Sequence, residues 1–221
     1  MDIRQHLWMA IKKGEPVRIK DHFKGVPVSG EAEVLMLGQD LLALRVDKRF
    51  VPLIRHERRL YWEYNDSPET FKGRPIAFEH REAIVVLDKI EAVNAGVRRR
   101  LVEAHIPPDE EVAVILEGAP SHARGALMDF TPGADNALFF RLAFDPAVAI
   151  QRSQRISTNL ARPEKLGIAG LAGTVVHVKH HAQAHQLRLQ VQVLADPGLH
   201  RSLASYLDAR RKEIETEWSR A

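Results

Sequence analysis

The sequence predicts a mostly β protein: two consecutive small β-barrels with a C-terminal α-helix. Three observations carry this. Short segments alternate apolar and polar residues with period two along most of the chain. Turn residues, chiefly Gly, Asp, Asn and Pro, punctuate them. One long stretch with a helical apolar stripe closes the chain. With 221 residues, the chain has room for one large domain or two of about 100 residues. The halves divide near residues 94–100, giving domains 1–94 and 95–221, the second including a helix over about 197–220.

Residues 3–13 read as an amphipathic helix, with Ile3, Leu7, Trp8 and Ile11 on one face and Gly14 as its stop. Strands are then predicted at PVRIK (16–20), EAEVLML (31–37), LLALRV (41–46), RFVPLI (49–54), RRLYWEY (58–64), RPIAFEH (74–80) and EAIVVLD (82–88). A turn at Asn65-Asp66-Ser67-Pro68 interrupts them. After Pro107-Pro108 a second series begins: EVAVILEG (111–118), ARGALMDF (123–130) and ALFFRLAF (137–144). Residues 151–164 are polar, contain Pro163 and read as a loop or edge segment. GTVVHV (173–178) and HQLRLQVQV (185–193) make a hairpin, with Leu187, Leu189, Val191 and Val193 on one face. The two halves echo each other in strand and turn spacing, which suggests two related barrels.

In the closing helix Asp196 is the expected N-cap and Pro197 takes the first helical position. Leu199, Leu203, Tyr206, Leu207, Ile214 and Trp218 share its apolar stripe, which suits a barrel mouth or a partner helix. Arg211 and Glu215 are spaced to pair.

Composition excludes several classes of function. The chain has no cysteine, so disulfides, thiolate metal sites and cysteine catalysis are out. No run approaches 18 apolar residues, so no membrane-spanning helix is expected. The first residues lack the apolar core of a signal peptide, and the predicted compartment is the cytoplasm. The net charge of +3 is mild, and no aromatic cluster flanks the basic residues; both argue against nucleic acid as a partner. There is no P-loop, GxGxxG or GxSxG, and an enzyme is not expected. GIAGLAG (167–173) is apolar and reads as close backbone packing. The histidines at 177, 180, 181 and 185 fall at a hairpin turn without a carboxylate among them, and a solvated turn is the better reading than a metal site.

Arg98, Arg99 and Arg100 are more informative. Guanidinium forks suit bidentate phosphate contacts, and a flexible linker would let them wrap a ligand. Downstream comes Asp129-Phe130-Thr131-Pro132-Gly133-Ala134 at a predicted strand end, where a turn would present side chains and backbone N–H groups. Together they suggest a site for a phosphorylated ligand.

On these residues the chain resembles the PilZ family, the bacterial receptors for cyclic di-GMP. In that family an RxxxR motif precedes a six-stranded barrel and a [D/N]xSxxG motif follows on an early strand. Many members carry an N-terminal split barrel like that of flagellar brake proteins. VRIKDHFKGVPVSGEAEVLMLGQDLLALRV resembles that first barrel, EEVAVIL and ARGALMDFTPGA the start of the second, AGTVVHVKHHAQAHQLRLQVQV its late hairpin, and SLASYLDARRKEIETEW the closing helix. The motifs depart from the pattern. Arg100 is followed four residues later by Ala104, with His105 close to where the second arginine belongs. Asp129 and Thr131 match the second motif, while Ala134 replaces its glycine. An RxxxR, Arg55 to Arg59, lies inside the first barrel.

The resemblance implies a non-enzymatic cyclic di-GMP receptor. Arg98, Arg99 and Arg100 would take phosphates and guanine faces, Asp129 and Thr131 a guanine edge beside Gly133, and His105 would stack. Ligand would then bridge the arginines and the Asp129 turn and reorient the barrels. No cofactor is implied; a protein partner in motility or secretion machinery is. The departures leave a second reading open: an interaction module of the same fold that does not bind the ligand and oligomerises through the C-terminal helix.

Overall fold

The computed structural model describes residues 3–39, 41–64, 69–108, 111–117, 123–133, 137–145, 147–160, 170–194 and 197–221. The turn at 65–68, Ala134, residues 161–169 and the N-cap Asp196 lie outside them. The chain divides into two compact units. The first comprises Met1–Phe23, Pro27–Glu103 and Trp218–Ala221; the second comprises Lys24–Val26 and Ala104–Glu217.

The first barrel is built from β1 (Val17–Phe23), β2 (Val26–Leu37), β3 (Leu42–Val46), β4 (Leu60–Glu63), β5 (Thr70–Glu79) and β6 (Ile84–Ala92). It closes in the order β1-β2-β3-β6-β5-β4, with β4 returning to β1 antiparallel through Ile19 opposite Trp62. Alternation along β2 buries Val26, Val28, Ala32 and Val34 and exposes Ser29, Glu31 and Glu33, as period two requires. The enclosed core includes Ile19, Leu44, Leu60, Trp62 and Leu87. Helix α1 (Ile3–Lys13) adds Leu7. Of its predicted apolar face, Trp8 and Ile11 are exposed instead. From the chain's end Trp218 enters this core, with its ring 5.0 Å from Phe50 in an edge contact and 5.3 Å from Phe23.

The second barrel contains β7 (Val112–Leu116), β8 (Arg124–Pro132), β9 (Leu138–Phe144), β10 (Arg155–Leu160), β11 (Gly170–His181) and β12 (Gln186–Val193). It closes in the order β10-β11-β12-β9-β8-β7. Numbered from the first strand of each, both barrels read 1-2-3-6-5-4, so the echo seen in sequence is a shared connectivity. Leu187, Leu189 and Val191 of β12 point into the core beside Phe130, Phe140 and Leu142. Gly170 and Gly173 bear out the reading of close packing: a Cβ on Gly173 would lie 2.3 Å from the Gln192 carbonyl oxygen. The four histidines flank a hairpin, and no metal-ligating cluster occurs among the described residues. The closing helix, here α4, spans Pro197–Arg220 and contributes Leu203 and Leu207 to the second core. Its Arg211 donates to Glu215 at 2.8 Å. No helix of the described residues is long and apolar enough to cross a membrane.

Three local expectations are corrected. RFVPLI is not a strand but the start of α2 (Phe50–Glu57). Phe50 and Ile54 are spaced one helical turn apart and both fully buried. Pro52 stands in the first turn, where a missing N–H costs nothing. The helix stops at Arg58, which turns left-handed and donates its N–H to the Ile54 carbonyl. A run of five apolar residues is too short to separate the two periods.

Residues 155–160 are neither a loop nor an edge: β10 pairs with both β11 and β7 and closes the barrel. Ile156, Thr158 and Leu160 face inward. The polar Thr158 hid this alternation, and its hydroxyl is satisfied by donating to the Leu171 carbonyl at 3.0 Å. Third, Arg98–Arg100 are not in a flexible linker. They belong to α3 (Ala95–Arg100), capped by the Asn94 side chain, which accepts the Val97 N–H at 3.0 Å.

Candidate ligand site

The residues singled out for a phosphorylated ligand fall on two elements, one in each unit. On α3, Arg99 and Arg100 are exposed and Arg98 is half-buried. Arg99 Nε donates to Glu103 at 2.7 Å, one turn along, yet its side chain keeps 80% of its exposure. Arg100 Nε reaches the Gly96 carbonyl at 3.3 Å. Exposed pairs of this kind contribute little and exchange readily for a stronger acceptor. The α3 arginines can therefore offer guanidinium edges to an anion.

Asp129, Thr131 and Gly133 belong to β8 and the end that follows it. The expectation of a turn at Asp129 is not met. β8 runs on to Pro132, with Asp129 opposite Arg141, Phe130 opposite Phe140 and Thr131 opposite Phe139. A bulge between Leu127 and Asp129 resets the alternation. Phe130 then faces the core, and Asp129 and Thr131 point away from it. Both are nevertheless only 6% exposed.

Two partners explain that burial. Arg141 grips Asp129 with both ends of its fork, Nε to Oδ1 at 2.6 Å and Nη2 to Oδ2. His105 Nδ1 shares a hydrogen bond of 2.9 Å with the Thr131 hydroxyl. The backbone holds His105 in place. Its N–H donates to the Gly25 carbonyl at 2.7 Å, and Ile106 exchanges hydrogen bonds with Phe130 on either side. Gly25 must be glycine here: its φ is +80°, and a Cβ would lie 1.8 Å from the His105 carbonyl oxygen. The Gly133 N–H donates to the Ala137 carbonyl at 2.7 Å, closing the β8–β9 hairpin.

The structure thus brings His105 to Thr131, and it adds Arg141, which the sequence reading missed. The only signal was Arg141 as the polar member of FFRLAF, and its role depends on the β8–β9 register. In this arrangement the Asp129 carboxylate and the Thr131 hydroxyl are engaged within the protein. A ligand reaching them would have to share or replace those bonds.

No protein-family model matches the chain, and no curated protein matches it. Among solved structures, it is similar to YcgR from Escherichia coli in complex with c-di-GMP, at 16% identity and a TM-score of 0.40, over 98% of this chain and 92% of that one. It is also similar to the Bacillus subtilis inhibitor of motility MotI/DgrA, at 11% identity and a TM-score of 0.41, over 90% and 96% of the two chains. The K. pneumonia MrkH–c-di-GMP complex is similar at 9% identity and a TM-score of 0.46, over 98% and 97%.

Proposed function

We propose that this chain is a non-enzymatic cyclic di-GMP receptor of the PilZ type. One observation carries the reading: Arg98, Arg99 and Arg100 present guanidiniums on the helix that immediately precedes a closed six-stranded barrel, whose second strand carries Asp129 and Thr131. A cyclic dinucleotide needs cationic forks for its phosphates and a polar edge for guanine. The α3 arginines would serve the phosphates. Asp129 and Thr131, with His105 beside them, would serve guanine by exchanging their internal bonds for bonds to the base. Calorimetric titration with cyclic di-GMP tests this. Saturable heat, weakened about tenfold or more by Arg99→Ala and by Asp129→Ala, is expected. No heat at high micromolar ligand overturns it.

A second reading is favoured by the pairing of Asp129 with Arg141 and of Thr131 with His105. In it the ligand motif has become structural, and the chain is an interaction module of the same fold. The helix stripe expected to mediate oligomerisation is largely covered within the chain: Leu203, Leu207, Ile214 and Trp218 are buried. Assembly through α4 would therefore use its polar face. Under this reading the titration is silent and Arg141→Ala lowers stability alone.

A further inference from the structure

The first unit carries a cationic cavity that the proposed receptor role does not use. It has a volume of about 390 Å³ and is lined by Lys48, Val51, Pro52, Arg55 and His80. The size falls within the range of small-molecule sites. Lys48 precedes α2, Arg55 lies near its end, and His80 follows β5, so one short helix and one hairpin turn bring the three together.

Arg55 is held in place on two sides. Its guanidinium carbon lies 5.2 Å from the Phe78 ring centroid, and its Nη2 is 2.5 Å from His80 Nε2. A guanidinium can only donate, so the His80 Nε2 lone pair accepts and Nδ1 keeps its proton as a further donor. Among the described residues no carboxylate lines the cavity. The acids on the flanking turns are occupied: Asp47 is gripped by Arg49, Glu79 accepts the backbone N–H groups of Arg81 and Glu82, and Glu57 pairs with Arg59. Among the described residues no ion pair is formed by Lys48 or Arg55. Two unneutralised cations and a neutral donor around one cavity form a receptor for a compact multivalent anion, and Val51 and Pro52 give it an apolar wall.

We propose that this cavity binds a phosphoryl group, as inorganic phosphate or as the phosphate of a small monoester. Lys48 supplies a mobile ammonium and Arg55 a fixed fork; of the RxxxR at 55–59 only the first arginine is engaged, while Arg59 is turned to Glu57 and to the Tyr61 ring. The site does not depend on the cyclic di-GMP reading, because it shares no residue with it.

The test is titration of the full chain with inorganic phosphate, glucose 6-phosphate and glucose, followed by calorimetry and by chemical shifts of the His80 ring. Saturable binding of either phosphate but not of glucose is expected, with Lys48→Ala and Arg55→Ala each weakening it about tenfold or more. Arg201→Ala, at an exposed position of the closing helix, should leave it unchanged. Phosphate alone binding assigns the site to the free ion, and both binding assigns it to monoesters as well. Absence of saturation by about 10 mM, or equal binding in Lys48→Ala and Arg55→Ala, overturns the proposal. Because both side chains are exposed, circular dichroism and melting of the variants should match the parent chain and exclude misfolding as the cause.

Discussion

The two barrels follow the same strand order, yet their second strands are used in opposite ways. On β2 of the first barrel the outward residues Ser29, Glu31 and Glu33 are solvated. On β8 of the second barrel the outward Asp129 and Thr131 are buried and bonded, because Arg141 from the neighbouring strand and the segment at His105–Ile106 cover them. The connection from third to fourth strand differs as well. The first barrel inserts α2, whose Phe50 and Ile54 fill the core, and draws Trp218 from the far end of the chain. The second fills its core with Ile150 and with Leu203 and Leu207 of α4. One connectivity can therefore be stabilised by different plugs, and a polar outer face becomes specific only when another segment closes over it.

Four substitutions would break or sharpen this contrast. Trp218→Ala should have the largest effect. It removes an aromatic side chain that is 8% exposed and packed on Phe50 and Phe23, and should destabilise the protein by about 3–5 kcal/mol in urea unfolding. Loss of less than about 1 kcal/mol would mean that the first barrel does not need this plug.

Arg141→Ala comes next. It leaves the Asp129 carboxylate without its fork, and since Arg141 keeps 41% side-chain exposure, a loss of about 1.5–3 kcal/mol is expected. Glu31→Gln on the equivalent strand of the first barrel should change stability by no more than about 0.5 kcal/mol. Equal effects would erase the distinction between the two second strands.

The smallest effect belongs to Asp21 on β1, which is 4% exposed. Burial pushes its carboxyl above the ordinary range; the His22 N–H, donating at 2.8 Å, pulls the other way, and Glu57 adds to the rise. An acid whose folded pKa is raised contributes its full stability below the unfolded value and loses it as the pH climbs through the folded value. Asp21→Asn should therefore be slightly more stable than the parent at neutral pH. That advantage should vanish as the pH falls below the ordinary aspartate value of 3.8, in thermal melts across that range. An advantage that grows toward acid would refute the assignment.

Much of the architecture was legible in the residues. β2 and β12 alternate cleanly, because a strand with one face in a core must place apolar residues two apart. α4 carries a stripe at helical spacing and starts at Pro197. The similarity of the halves was visible in strand and turn spacing. The candidate site was less legible. The arginines and Asp129-Phe130-Thr131 could be picked out, but whether Asp129 faces a ligand or a neighbouring strand depends on a bulge at Leu127–Asp129 and on the register with β9. Arg141 showed only as the polar member of FFRLAF, and the Lys48–Arg55–His80 cavity had no local signature, because each joins residues from separate elements.

By itself, then, the sequence determined the class of the protein: period-two segments in two series, a closing amphipathic helix, no cysteine, and a short arginine run ahead of the second series. Tertiary structure alone decided which segment closes each barrel, that RFVPLI is helical, that Thr158 belongs inside, and which charges are neutralised. The physical reason is range. Alternation and caps are encoded within a few neighbouring residues. Barrel closure, strand register and charge pairing are set by contacts between residues far apart in the chain, where local preference is overridden by the burial that only the assembled fold provides.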